Sequence, residues 1–182
     1  MTSRTRFISA AILTSAALIS PFAFAADGTI TITGTVTAQT CTINGNGSGS
    51  SNFTVPLISV SASSLPSAGK PAGATPFNIS LSACTPASGN VHTFFEAGPT
   101  VDTATGNLII ATGGATNVEV QLLNGDSTPI KLGVIDTSQN SKSVAISAGG
   151  TATLNHIAQY IATGAATAGA VSTSVLYTMV YQ

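Results

Sequence analysis

Chemistry in this chain would have to come from a short list of side chains. His92 and His156 are its two histidines, and Cys41 and Cys84 its two cysteines. A metal site needs clustered ligands, such as histidines one helical turn apart or a Cys-x-x-Cys pair, and neither histidine has such a neighbour. A nucleophile needs an adjacent base. Gly125-Asp126-Ser127 has the outline of a hydrolase turn, yet it follows the alternating run NVEVQLLN and leads into no helix. Gly45, Gly47 and Gly49 have the look of a phosphate loop but lack the Lys-Ser/Thr pair and the helix that would complete one. Glu96 and Asp102 are the carboxylates nearest to a glycosidase pair; they read as solvated charges. Asn46, Asn52 and Asn78 open N-x-Ser/Thr sequons, which by themselves carry no chemistry. The expectation is a protein without catalytic residues, cofactor or metal.

The cysteines point to a compartment. The first residues, MTSRTRFISAAILTSAALISPFAFAA, read as an export signal. Arg4 and Arg6 form a basic start, Phe7 to Ile19 an apolar stretch too short for a bilayer span, and Ala23-Phe24-Ala25 a small-residue cleavage site after Pro21. Cleavage is expected after Ala25 or Ala26, so that residues 1–25 are a signal peptide. In an oxidising space the two remaining cysteines would pair, closing a loop that stabilises the fold by roughly 4 kcal/mol in the chain-entropy account. Free reactive thiols are the alternative, but no histidine or basic residue flanks either cysteine to lower its pKa.

After residue 25 the chain keeps Lys70, Lys131 and Lys142 against Asp27, Glu96, Asp102, Glu119, Asp126 and Asp136, a formal charge of −3 with no arginine. Nucleic-acid binding rests on clustered Lys and Arg, so that class of partner is excluded. No later stretch is long and apolar enough to span a membrane. With 6% charged residues overall, the surface suits packing against other protein.

Short alternating apolar runs separated by Gly, Asn, Ser and Pro clusters position these residues. The pattern predicts strands at Thr29–Thr37, Phe77–Ser82, Val91–Ala97, Asn107–Ile110, Val118–Leu123, Ile130–Leu132, Ser143–Ile146, His156–Ile161 and Val171–Tyr181, with 44–51 a flexible loop. Many short strands and no amphipathic helix indicate an all-β sandwich in one domain. Two strands lie at opposite ends. In the first, Gly28, Ile30, Ile32, Gly34 and Val36 share one face and threonines the other. In the second, Val171, Val175, Tyr177, Met179 and Tyr181 share a face, with Thr173 as its polar member. An apolar terminal strand without Lys, Pro or an inward charge is an unprotected edge, which suggests pairing by another chain.

Taken in order, these segments resemble the major subunits of type 1 fimbriae, assembled by the chaperone–usher pathway. The resemblance rests on the glycine-bearing N-terminal strand ending at Cys41, FNISLSAC with Cys84, FFEAGPTVDTATGNL, NVEVQLLN with the hairpin into PIKLG, and AQYIATGAATAGAVSTSVLYTMVYQ. The last ends in a penultimate tyrosine and has Gly169 fourteenth from the C-terminus. The family implies an immunoglobulin-like β-sandwich (pilin fold) lacking its final strand and completed by donor-strand complementation. It further implies a donor extension over residues 26–40 and a pilin domain over 41–182. A periplasmic chaperone would pair with the strand from Gly169 to Tyr181 and hold the carboxylate of Gln182. An outer-membrane usher would then exchange the chaperone for residues Gly28–Val36 of the next identical subunit. The implied product is a head-to-tail surface fibre involved in cell adhesion. A minor adaptor subunit would use the same parts. From a different class, a self-contained secreted carbohydrate-binding sandwich would tuck in its own first strand, though the chain has no Trp for sugar stacking.

Overall fold

Period-two alternation puts every second side chain on one face of a strand, so a chain patterned this way must build sheets and bury one face of each. The computed structural model describes residues 28–34, 36 and 38–182. The expected signal peptide lies outside the described residues, as do Ala26 and Asp27 of the expected donor extension and Thr35 and Thr37 of the expected first strand.

From Thr40 onward nine strands follow: β1 (Thr40–Gly45), β2 (Pro71–Thr85), β3 (Asn90–Phe95), β4 (Val101–Asp102), β5 (Asn107–Leu108), β6 (Val118–Asn124), β7 (Val144–Ala145), β8 (Ala152–Ala162) and β9 (Tyr177–Tyr181). Two single-turn 3₁₀ helices, Ala62–Ser64 and Asp136–Ser138, interrupt the connections. One sheet has six strands in the order β1-β2-β8-β6-β5-β4 and the other has three, β7-β3-β9. Every ladder is antiparallel. This is the expected all-β class.

Register follows from burial. Across β2 and β8, Phe77 faces His156 and Ile79 faces Leu154; across β6 and β8, Val120 faces Tyr160 and Leu122 faces Ala158. Slipping β8 by one residue would turn its buried set to solvent. Phe77, Phe95, Leu108, Val120, Leu122, Ile130 and Leu132 form one core cluster. Ile79, Leu81, Val91, Leu154 and Met179 form a second, beside the Cys41–Cys84 disulfide that ties β1 to β2. Full burial of each large aliphatic side chain contributes about 1.5–3 kcal/mol. Gly73 marks a bulge in β2, where its φ of +68° is open to glycine and an added Cβ would press on the Tyr160 ring.

Several expectations change. Asn44 and Gly45 belong to β1, paired with Ser80 and Ile79, so the loop starts at Asn46. β4 and the first half of β2 have too little apolar alternation to be read locally. The expected strand at Ile130–Leu132 buries Ile130 and Leu132 but forms no ladder, because its three N–H groups donate to separate acceptors, Leu122 O, Gln139 O and Gly106 O. Described residues of Thr29–Thr37 carry no strand; a strand forms only where a neighbour takes its hydrogen bonds. In Val171–Tyr181 the alternation holds throughout, but ladder pairing begins only at Tyr177.

Candidate functional site

The histidines are interior scaffold. His156 is 2% exposed, sits edge-on to Phe95 and tilted against Phe77, and meets Thr93 Oγ1 at 3.1 Å through Nε2. Burial pushes its pKa down to about 4, opposed by the neighbouring Leu123 backbone. His92 Nε2 lies 2.7 Å from Asp136 Oδ1 and anchors the second 3₁₀ turn against β3. Beside it, buried Gln139 accepts from Phe95 N–H at 3.1 Å and donates to Phe95 C=O at 2.6 Å. One amide side chain thus takes the place of a strand neighbour along β3 where β7 stops.

The other sequence candidates separate. Gly125-Asp126-Ser127 is a hairpin turn closed by Asn124 N–H to Thr128 O at 2.9 Å, and the Thr128 hydroxyl and N–H hold the Asp126 carboxyl below its ordinary pKa. Glu96 accepts from Thr178 Oγ1 at 2.7 Å, while Asp102 caps its own turn through Ala104 N–H. Glu119, not singled out from the sequence, is the buried carboxylate; it accepts from Thr105 Oγ1 and Asn107 Nδ2. Among the described residues no group of three or more His, Cys, Asp or Glu is placed to hold a metal, and no helix is long and apolar enough to cross a membrane.

What the fold does create is a groove. A cavity of about 920 Å³ runs along the inner face of the six-stranded sheet, floored by Phe77, Ile79, Val120, Leu122, Ala158 and Tyr160. One wall is the segment 51–57, where Phe53, Val55 and Leu57 turn inward and Thr54 and Pro56 outward. The other wall is the C-terminal strand, whose Val171, Thr173, Val175, Tyr177 and Met179 line the groove. Sequence reading missed the first wall; the alternation in FTVPL was its signal, obscured by Pro56 and by the polar run before it.

The backbone of the second wall is used on one side. Ala170, Ser172 and Leu176 carbonyls accept from Ala115, Ala111 and Glu96 N–H groups at 2.9, 2.8 and 2.8 Å. In extended chain the intervening residues direct their N–H and C=O to the opposite edge. There, among the described residues, no hydrogen bond engages the backbone of Val171, Thr173 or Val175, nor that of Phe53, Val55 or Leu57 across the groove. β9 likewise has β3 on one side only. The walls are bridged at one point, where Tyr177 Oη donates to Ser51 O at 2.7 Å and Phe53 meets the Tyr177 ring edge; burial raises the Tyr177 pKa.

Gly169, Tyr181 and Gln182 flank the second wall. Gly169 precedes the groove strand, and a Cβ there would collide with the backbone of Ala115. Tyr181 packs against the second core cluster, and Gln182 exchanges two bonds with Asn90, its O accepting at 2.9 Å and its N–H donating at 2.8 Å. Ile30, Ile32 and Val36 are 89%, 90% and 101% exposed, and an added Cβ at Gly28 or Gly34 would meet nothing within 4 Å.

Comparison with known proteins agrees with this architecture. The type-1 fimbrial protein A family matches residues 55–182. The chain is 49% identical over 137 residues to the F17 fimbrial protein of Escherichia coli, covering 72% of this chain and 76% of that one. It is 48% identical over 164 residues to the major fimbrial subunit SMF-1 of Stenotrophomonas maltophilia, covering 87% and 95%. Among solved structures, a type I fimbria protein of Burkholderia pseudomallei aligns with a TM-score of 0.54 at 26% identity, over 79% of this chain and all of that one.

Proposed function

This chain belongs to the type-1 fimbrial protein family and is a structural fimbrial subunit, and from that premise we propose that it polymerises by laying residues 28–36 into the groove of the next copy. The observation that carries the reading is the groove itself: an apolar slot whose two walls both present unpaired backbone. β-strand addition, of which chaperone–pilin complementation is an established case, supplies the missing bonds irrespective of sequence and reads side chains in alternate pockets. The exposed Ile30, Ile32 and Val36 have the matching period. Each one buried would contribute about 1.5–3 kcal/mol, less the entropy of ordering the strand. Gly28 and Gly34 have open space in the isolated chain, so their lack of a side chain answers to close approach in the partner's groove. Donor and groove are different surfaces, and such a contact repeats without closing, which gives a filament.

Before assembly the same edge needs cover. A periplasmic chaperone lending a strand to Val171–Tyr181 and binding the Gln182 carboxylate would supply it, with an outer-membrane usher catalysing the exchange onto the surface fibre. The major-subunit role of the relative at 48% identity favours a rod subunit over a minor adaptor. The test is thermal unfolding of a chain lacking residues 26–38, with and without a peptide of that sequence. Binding that raises the midpoint supports the reading through linkage to the native state. A truncated chain already stable and indifferent to the peptide would show a sandwich complete in itself.

A further inference from the structure

The turn leaving β1 holds chemistry that strand donation does not use. The sequence contains three Asn-Gly steps, Asn44-Gly45, Asn46-Gly47 and Asn124-Gly125. At each, the peptide nitrogen after the asparagine belongs to a residue with no Cβ to block its approach to the side-chain carbonyl carbon. Reaction then depends on whether the side-chain amide and that N–H are free, and the structure separates the three steps.

Asn124 is 1% exposed. Its Nδ2 donates to Thr128 Oγ1 at 3.0 Å and to Asn140 O at 2.8 Å, and its Oδ1 accepts from Lys142 N–H at 2.9 Å. That amide cannot rotate without breaking a buried network. Asn44 lies in β1, and its Oδ1 accepts from Gly49 N–H at 2.8 Å. Its would-be nucleophile is also held, since Gly45 N–H donates to Ser50 O at 2.8 Å. Asn46 differs on each count. It is exposed at the tip of the turn with φ +49°, and Gly47 beside it has φ +73°. Only its backbone is anchored, by its N–H to Asn78 O at 2.7 Å. Among the described residues no hydrogen bond engages its side chain or the Gly47 N–H.

We propose that Asn46 is a site of spontaneous deamidation in the folded protein, with water as co-reactant. The Gly47 nitrogen attacks Asn46 Cγ, forming a C–N bond. The Cγ–Nδ2 bond breaks, and ammonia leaves with the proton that the Gly47 nitrogen gives up. Water then opens the five-membered imide at either carbonyl, leaving aspartate or a β-linked isoaspartate. No oxidant or enzyme is required. The product adds one negative charge to a chain that has three lysines after residue 25. In the isoaspartate form it also lengthens the backbone of the turn that runs into the groove wall at Ser51–Phe53. Subunits would thus acquire a covalent mark of age at one surface turn.

The test is incubation of the folded, disulfide-intact chain at mildly alkaline pH, followed by peptide mapping that resolves asparagine, aspartate and isoaspartate. A parallel sample is reduced and held in urea. In the folded chain Asn46 is expected to convert at least about tenfold faster than Asn44 and Asn124, whereas in urea the three steps react at comparable rates. Asn46→Gly, which the φ of +49° admits without strain, removes the folded-state product. Comparable conversion of all three steps in the folded chain, or an intact Asn46 there alongside conversion in urea, would overturn the assignment. None of these readings depends on polymerisation.

Discussion

Acid should weaken this fold through one buried imidazole. His156 is surrounded by Phe77, Phe95, Thr93 and the Leu123 backbone, and desolvation holds its pKa at about 4 against an ordinary value of 6.5. The unfolded chain therefore takes up a proton as pH falls through 6.5, while the folded chain resists until about 4. Between those values the unfolded state binds more protons, so stability rises with pH and is lost on acidification. The displacement is worth about 3 kcal/mol by the time pH reaches the folded-state value. That is a large share of a typical total of roughly 5–15 kcal/mol. The assay is urea unfolding of the monomeric chain and of His156→Gln over a pH series from neutral to 4. Carboxylate titrations are common to both proteins and cancel in the difference. The wild type should lose about 3 kcal/mol more than the variant across that window, with the unfolding slope unchanged. Parallel pH dependences of the two proteins would refute the reasoning, since the imidazole would then titrate alike in both states.

Two further perturbations test the scaffold. Replacing both Cys41 and Cys84 by Ser opens a loop with a sequence separation of 43, and should cost about 4 kcal/mol by the chain-entropy relation, read as a lower urea midpoint. Gln139→Ala should cost about 2–5 kcal/mol, because it strands the buried N–H and C=O of Phe95 together; hydrogen exchange at the Phe95 amide should rise along with the loss of stability.

Much of this protein was legible locally. Strands β3, β6, β8 and β9 and the second half of β2 announce themselves because short apolar runs bounded by turn residues are a property of neighbouring residues, and a face such as Phe77, Ile79 and Leu81 needs no tertiary knowledge to be recognised. The same alternation marked both ends, since an apolar face on a terminal segment stands out wherever the segment goes. The two cysteines and the sparse charge likewise pointed to an exported scaffold without knowledge of the fold.

Other features were decided only by three-dimensional packing. β1 and β4 exist because β2 and β5 offer them backbone partners, and pairing depends on a neighbour's position. Ile130 and Leu132 are buried as deeply as any strand residue yet have no ladder, because burial and hydrogen bonding are separate requirements that only the tertiary fold brings together. The packing of Phe53 on Tyr177 and the clamp of Gln139 on Phe95 join residues far apart in sequence, so no local window contains them. The groove is the clearest case: apolar residues on the C-terminal strand show in the sequence, but the vacancy beside them is a relation between two walls and a floor. The sequence by itself determined which faces are apolar; the tertiary structure decided which of those faces found a partner among the described residues of the chain and which did not.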